Sequence, residues 1–100
     1  MSDRSVHAAL LPDLHTSQDL IADRRYNYAM ALLKDQDASA AKDLFHQVLE
    51  RVPNWPPALL GMGEACLLSD EPSEAGRYFL HCLEQDPSDR LGAAPRLARM

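Results

Sequence analysis

The chain has 100 residues, 46% hydrophobic and 25% charged, with 4 Gly and 7 Pro, which suits one ordinary globular domain and excludes collagen-like, disordered and large multidomain chains. Ten Lys and Arg against fifteen Asp and Glu leave a net charge of −5 with no basic run, so nucleic acid is a poor partner. No apolar run approaches the roughly 18 residues of a membrane span, and Ala8-Ala9-Leu10-Leu11 meets Pro12 too early for a signal-peptide core, so a soluble, cytoplasmic protein is expected.

Residues 1–16 read as an N-terminal arm, partly disordered or a short helix, whose Leu10, Leu11 and Leu14 can add packing against the helices. Ser17 is the expected N-cap of a helix from Gln18 to about Lys34. Asp35-Gln36-Asp37 then turns the chain into a second helix ending near Val52. Pro56 and Pro57 stand where a first helical turn tolerates proline, opening a third helix that runs to about Leu68. After the turn Ser69-Asp70-Glu71-Pro72, a fourth helix is expected over about Ser73 to Gln85, and 89–100 reads as a short terminal helix with Arg90, Arg96 and Arg99 outward. No segment alternates with period two. The expectation is therefore an all-α chain of five helices, or six if 5–14 folds.

Sliding the sequence by 34 positions exposes an internal repeat. Residues 22–53 against 56–87 give eight identities, Ala31/Ala65, Leu33/Leu67, Ser39/Ser73, Ala41/Ala75, Phe45/Phe79, Leu49/Leu83, Glu50/Glu84 and Pro53/Pro87, where chance would give roughly two. Ala41, Phe45 and Leu49 recur every fourth residue on one helical stripe, as do Ala75, Phe79 and Leu83, and a proline closes each unit.

Leu59, Met62, Gly63 and Cys66, then Ala75, Phe79 and Pro87, resemble the tetratricopeptide (TPR) pattern W-x2-L-G-x2-Y, A-x3-F, P in 34 residues. The first unit matches through Ala41, Phe45 and Pro53 but carries Arg25, Tyr28, Ala29 and Leu32 in its first half. An opening repeat can leave Arg25 facing solvent. The resemblance implies antiparallel helix-turn-helix repeats: an N-terminal arm over 1–16, and a TPR domain over 17–100 with repeat 1 at 22–55, repeat 2 at 56–89 and a capping helix at 89–100. It further implies that Ala29, Gly63, Ala41 and Ala75 mark close helix contacts, with Tyr28, Phe45 and Phe79 filling the gaps between layers. Two repeats are fewer than the three usually needed, so the flanks or a homodimer must supply further packing.

Catalytic and metal chemistry find little support. Gly61-Met62-Gly63 lacks the preceding strand and third glycine of a nucleotide loop, and Gly63 reads as a packing glycine. His7, His15, His46 and His81 show no ligand spacing, and Cys66 and Cys82 fall in core slots where a thiol acts as a small hydrophobe. Ser39, Ser69, Ser73 and Ser88 fall at turns, where capping explains them. No catalytic residue, metal or cofactor is expected.

The TPR resemblance implies instead a concave groove lined by the first helix of each repeat. Its positions here are Asp23, Tyr26, Met30, Leu33 and Lys34, then Pro57, Leu60, Glu64, Leu67 and Leu68. Tyr26 and Met30 stand where some TPR domains use Lys and Asn to clamp an acidic C-terminus. Lys34 is the only cation of the ten, so apolar contact with little salt dependence is expected. The leading reading is a non-enzymatic adaptor for a peptide or helix of another protein. A second comes from Asp86 through Arg99, which resemble the junction in a group of bacterial proteins where a short TPR array precedes a class I S-adenosylmethionine-dependent methyltransferase, with weaker support from Asp19 through Arg25. On that reading the chain is a docking or regulatory front end, with the catalytic domain beyond Met100. A third is a homo-oligomerisation module.

Overall fold

A computed structural model describes residues 16–100. The arm over 1–15, with Leu10, Leu11, Leu14, His7 and His15, lies outside the described residues. The described residues form five α-helices: α1 (Leu20–Lys34), α2 (Ala38–Arg51), α3 (Pro56–Leu68), α4 (Pro72–Gln85) and α5 (Ala93–Ala98). No strand occurs among the described residues. Each helix packs on the next, and α1 also meets α3, so the first helices of the two hairpins line one side and α2 and α4 the other.

The 34-residue register reappears in the backbone hydrogen bonds. Asp35, Gln36 and Asp37 donate their N–H groups to Ala31, Leu33 and Leu32; 34 positions on, Ser69, Asp70 and Glu71 donate to Ala65, Leu67 and Cys66. Gln36 and Asp70 take the same left-handed conformation, with φ of 66° and 60°. Each turn closes the orphan carbonyls of the helix before it, which lets the chain reverse in three residues.

Helix starts differ from the expectation in chemistry more than in place. Asp19, not Ser17, is the N-cap of α1, its carboxylate accepting from Ala22 N–H at 3.0 Å. Carboxylate is the stronger choice at a helix N-terminus because it also meets the macrodipole. Asp37 caps α2 in the same way, so Ser39 lies within the first turn and is no cap. Helices α3 and α4 start on Pro56 and Pro72 with no side-chain cap, a proline relieving one orphan donor, and Ser73 is likewise inside α4. Helix α5 covers Ala93–Ala98 rather than all of 89–100, because 89–92 is needed for the turn that Asp89 holds by accepting from Ala93 and Ala94 N–H.

The core is one continuous cluster. Phe45, Phe79, Leu59, Met62, Val48 and Cys82 are fully enclosed, with small residues Ala22, Ala29, Ala41, Ala58, Ala65 and Ala75 at the helix crossings. Close approach is tightest at two glycines of α3. A Cβ on Gly63 would lie 2.5 Å from Cε1 of Phe79, and one on Gly61 would lie 2.5 Å from Cζ of Phe45. Gly61 and Gly63 are about 200° apart around the helix, so α3 receives the two phenylalanines on nearly opposite sides, Phe45 from the preceding hairpin and Phe79 from its own. Tyr28 departs from its expected role: it is 62% exposed, whereas Met62, 34 positions on, is fully buried. Met62 lies in a helix packed between α2 and α4, whereas no described helix precedes α1.

Two ionic contacts tie elements together. Lys42 of α2 pairs with Glu71 at the start of α4, and Arg51 at the end of α2 donates Nε to both oxygens of Asp19, at 3.0 and 3.1 Å. Asp86, 1% exposed, fastens the α4–α5 joint by accepting from Leu91 N–H at 3.1 Å and Arg90 Nε at 3.3 Å.

Candidate functional site

Four of the expected groove residues converge. Leu33 from α1 and Glu64, Leu67 and Leu68 from α3 line an open cleft of about 540 Å³, together with Gln36 in the α1–α2 turn and Arg96 and Arg99 of the α5 region. Leu67 and Leu68 are 39% and 42% exposed, large apolar side chains facing water at the mouth. Glu64 Oε2 stands 3.7 Å from Arg96 Nε. The cleft is therefore a leucine floor with one carboxylate and two guanidinium groups on its rim.

The other expected positions lie elsewhere. Asp23 accepts from Ser17 hydroxyl at 2.6 Å, Ser17 N–H at 2.9 Å and Thr16 hydroxyl at 3.1 Å, so it is spent on ordering the entry to α1. Those hydrogen bonds hold its carboxyl below the usual aspartate range. Tyr26 lies with its ring against Trp55, centroids 4.8 Å apart, and edge-on to Phe45 at 6.1 Å. Burial, and secondarily the nearby Glu64 charge, push its phenol up. Met30 and Leu60 are part-buried against the core, Pro57 is buried, and Lys34 is exposed in the last turn of α1 without reaching the cleft.

Sequence reasoning sets Arg96 and Arg99 on an outward face and leaves Lys34 as the only groove cation. The structure places Arg96, half-buried, and Arg99, still exposed, beside the cleft. Applying the 34-residue step a third time starts another first helix near Arg90, the available signal that α5 continues the wall built by α1 and α3. Arg96 is held in place by donating Nη1 to the carbonyls of Gly92 at 2.8 Å and Leu91 at 3.3 Å. Gln36 carries no signal beyond its place in the turn.

The cysteines lie in the core as buried free thiols. Burial, then the Asp86 and Asp89 charges, push Cys82 up to about 11, and burial raises Cys66 as well, which makes both poor nucleophiles near neutral pH. Among the described residues, no three His, Cys, Asp or Glu side chains gather closely enough to hold a metal, and no helix is long and apolar enough to cross a membrane.

Comparison with known proteins agrees with the geometry. The family model described as tetratricopeptide repeat matches residues 32–94, from the end of α1 through both hairpin partners into α5. Neither the curated proteins nor the solved structures contain a significant match. The family match spans well over half of the sequence, and with two helical hairpins in 34-residue register it establishes that the chain belongs to the tetratricopeptide repeat family.

Proposed function

We propose that this chain is a protein-interaction module that takes a peptide or helix of another protein in the groove formed by α1, α3 and α5, with no catalysis of its own. Tetratricopeptide repeats typically bind other proteins, which supports the class. The observation that carries the site is the meeting of three leucines in one cleft, Leu33 part-buried against the core and Leu67 and Leu68 exposed to water. Such apolar floors with a charged rim favour adaptable side-chain docking. The contacting set is Leu33, Glu64, Leu67 and Leu68, extended by Gln36, Arg96 and Arg99, while Asp23, Tyr26, Met30, Lys34 and Leu60 stand outside the cleft lining. The working unit is residues 17–100.

A peptide-display selection on the immobilised chain tests this, with Leu67→Ser/Leu68→Ser as a counter-bait whose melting has been checked. Peptides retained by the wild type and dropped by the double variant are expected. Peptides that bind both baits equally would place the interaction elsewhere.

A further inference from the structure

The cleft carries one cation that no carboxylate among the described residues pairs with. Its carbonyl-rich flanks contribute little charge, since the ends of α1 and α3 are closed by the N–H groups of 35–37 and 69–71. Side chains therefore set its sign. Arg96 faces Glu64 at 3.7 Å and gives Nη1 to two carbonyls, so its charge is largely answered. Arg99 gives only Nε, to the Pro95 carbonyl at 3.4 Å, and no carboxylate lies within ion-pair distance of it among the described residues. It opens onto the same space as Leu33, Leu67 and Leu68.

We infer that the groove selects a segment of another protein in which leucine-sized apolar side chains stand next to a carboxylate, the apolar groups on the leucine floor and the acid on the Arg99 guanidinium. Arginine suits this role because its planar fork meets a carboxylate in two parallel hydrogen bonds, and the neighbouring leucines exclude water from the pair. This rests on the proposed groove and adds the chemistry of the occupant. The net charge of −5 repels an acidic partner at a distance while Arg99 attracts it at contact. Added salt weakens both effects, so ionic strength is a poor readout and a single charge reversal is a good one.

The test is selection of a random twelve-residue display library on the wild type, on Arg99→Glu and on Arg77→Glu, followed by titration of the enriched peptides as synthetic probes. Arg77 is an exposed residue of α4 outside the cleft, so its variant makes the same change in total charge. Wild-type winners are expected to combine leucine-type residues with Asp or Glu, to lose roughly tenfold or more in affinity on Arg99→Glu, and to change less than about twofold on Arg77→Glu. Winners without acidic enrichment, or equal losses on the two variants, would overturn the inference. If those winners still failed on Leu67→Ser/Leu68→Ser, the groove reading would stand and only the acid-recognition step would fall; winners indifferent to the leucines would remove both.

Discussion

Gly63→Ala and Gly76→Ala are the same chemical change in two packed helices, and the structure assigns them opposite signs. At Gly63 the new methyl would sit 2.5 Å from Cε1, 2.7 Å from Cδ1 and 2.9 Å from Cζ of Phe79, a ring that is completely buried. Neither ring nor helix can yield cheaply, so overpacking of about 1–3 kcal/mol is expected. Alanine's better helix propensity offsets about 0.8–1 kcal/mol of that. At Gly76 of α4 the nearest heavy atom is Met100 Cε at 3.6 Å, an ordinary contact, so the propensity gain stands alone. The propensity gain is common to both, so the two variants should differ by the overpacking alone, about 1–3 kcal/mol, or roughly 4–24 °C in melting temperature for a domain of this size. Thermal and urea unfolding followed by circular dichroism measure both. A double-mutant cycle of Gly63→Ala with Phe79→Leu should show favourable coupling, because the smaller side chain relieves the clash. If Gly63→Ala were as stable as Gly76→Ala, the close approach of α3 and α4 would be wrong.

Phe79→Ala should cost about 3–5 kcal/mol and Leu68→Ala under about 1 kcal/mol, since the first empties a sealed core site and the second removes a side chain already 42% exposed; equal melting shifts would contradict the facing of these helices. Asp86→Ala should cost about 1–3 kcal/mol by leaving Leu91 N–H and Arg90 without their acceptor, and amide exchange in α5 should report the loosened joint first. Asp19 is held below the ordinary aspartate range by the Ala22 N–H and by Arg51, and Asp23 by the Ser17 hydroxyl and N–H. Their contribution is complete above the unfolded aspartate pKa of about 3.9 and disappears as pH falls through the lower folded values, so Asp19→Asn/Asp23→Asn should flatten the acid limb of a urea-midpoint titration. Cys66 and Cys82 should resist a thiol reagent at pH 8 until the chain unfolds, and prompt labelling of either in the native protein would contradict their burial.

The hairpin architecture is legible because its signals are local. Asp35-Gln36-Asp37 and the prolines at 56 and 72 punctuate the helices, and identities at 34-residue spacing put Phe45 and Phe79 in equivalent slots. What escapes depends on neighbours. The register equates Tyr28 with Met62 in sequence, but burial is decided by what lies alongside: Met62 lies in a helix packed between α2 and α4, whereas no described helix precedes α1. Gly63 is readable as a packing glycine because the family pattern has a glycine there; Gly61 meets a ring from the preceding hairpin, a contact no local pattern encodes. In the groove, Leu33, Glu64, Leu67 and Leu68 come from the positions that the family resemblance implies. Arg96 and Arg99 escape because a six-residue helix gives too little periodicity to orient its side chains, and their reach across the cleft depends on how α5 docks on α4. Asp23, assigned to the groove by position, is claimed by Ser17 and Thr16, hydroxyls that sequence facing alone does not place.

The claim on which the functional account turns is that partners dock between α1, α3 and α5. Backbone amide chemical shifts of the labelled chain, recorded while a display-selected peptide is titrated in, test it most directly. The largest changes are expected at Leu33, Gln36, Glu64, Leu67, Leu68 and Arg99, with little movement at Arg77 and Leu80 on the exposed side of α4. Changes centred on Arg77 and Leu80, with the cleft residues undisturbed at saturation, would contradict it.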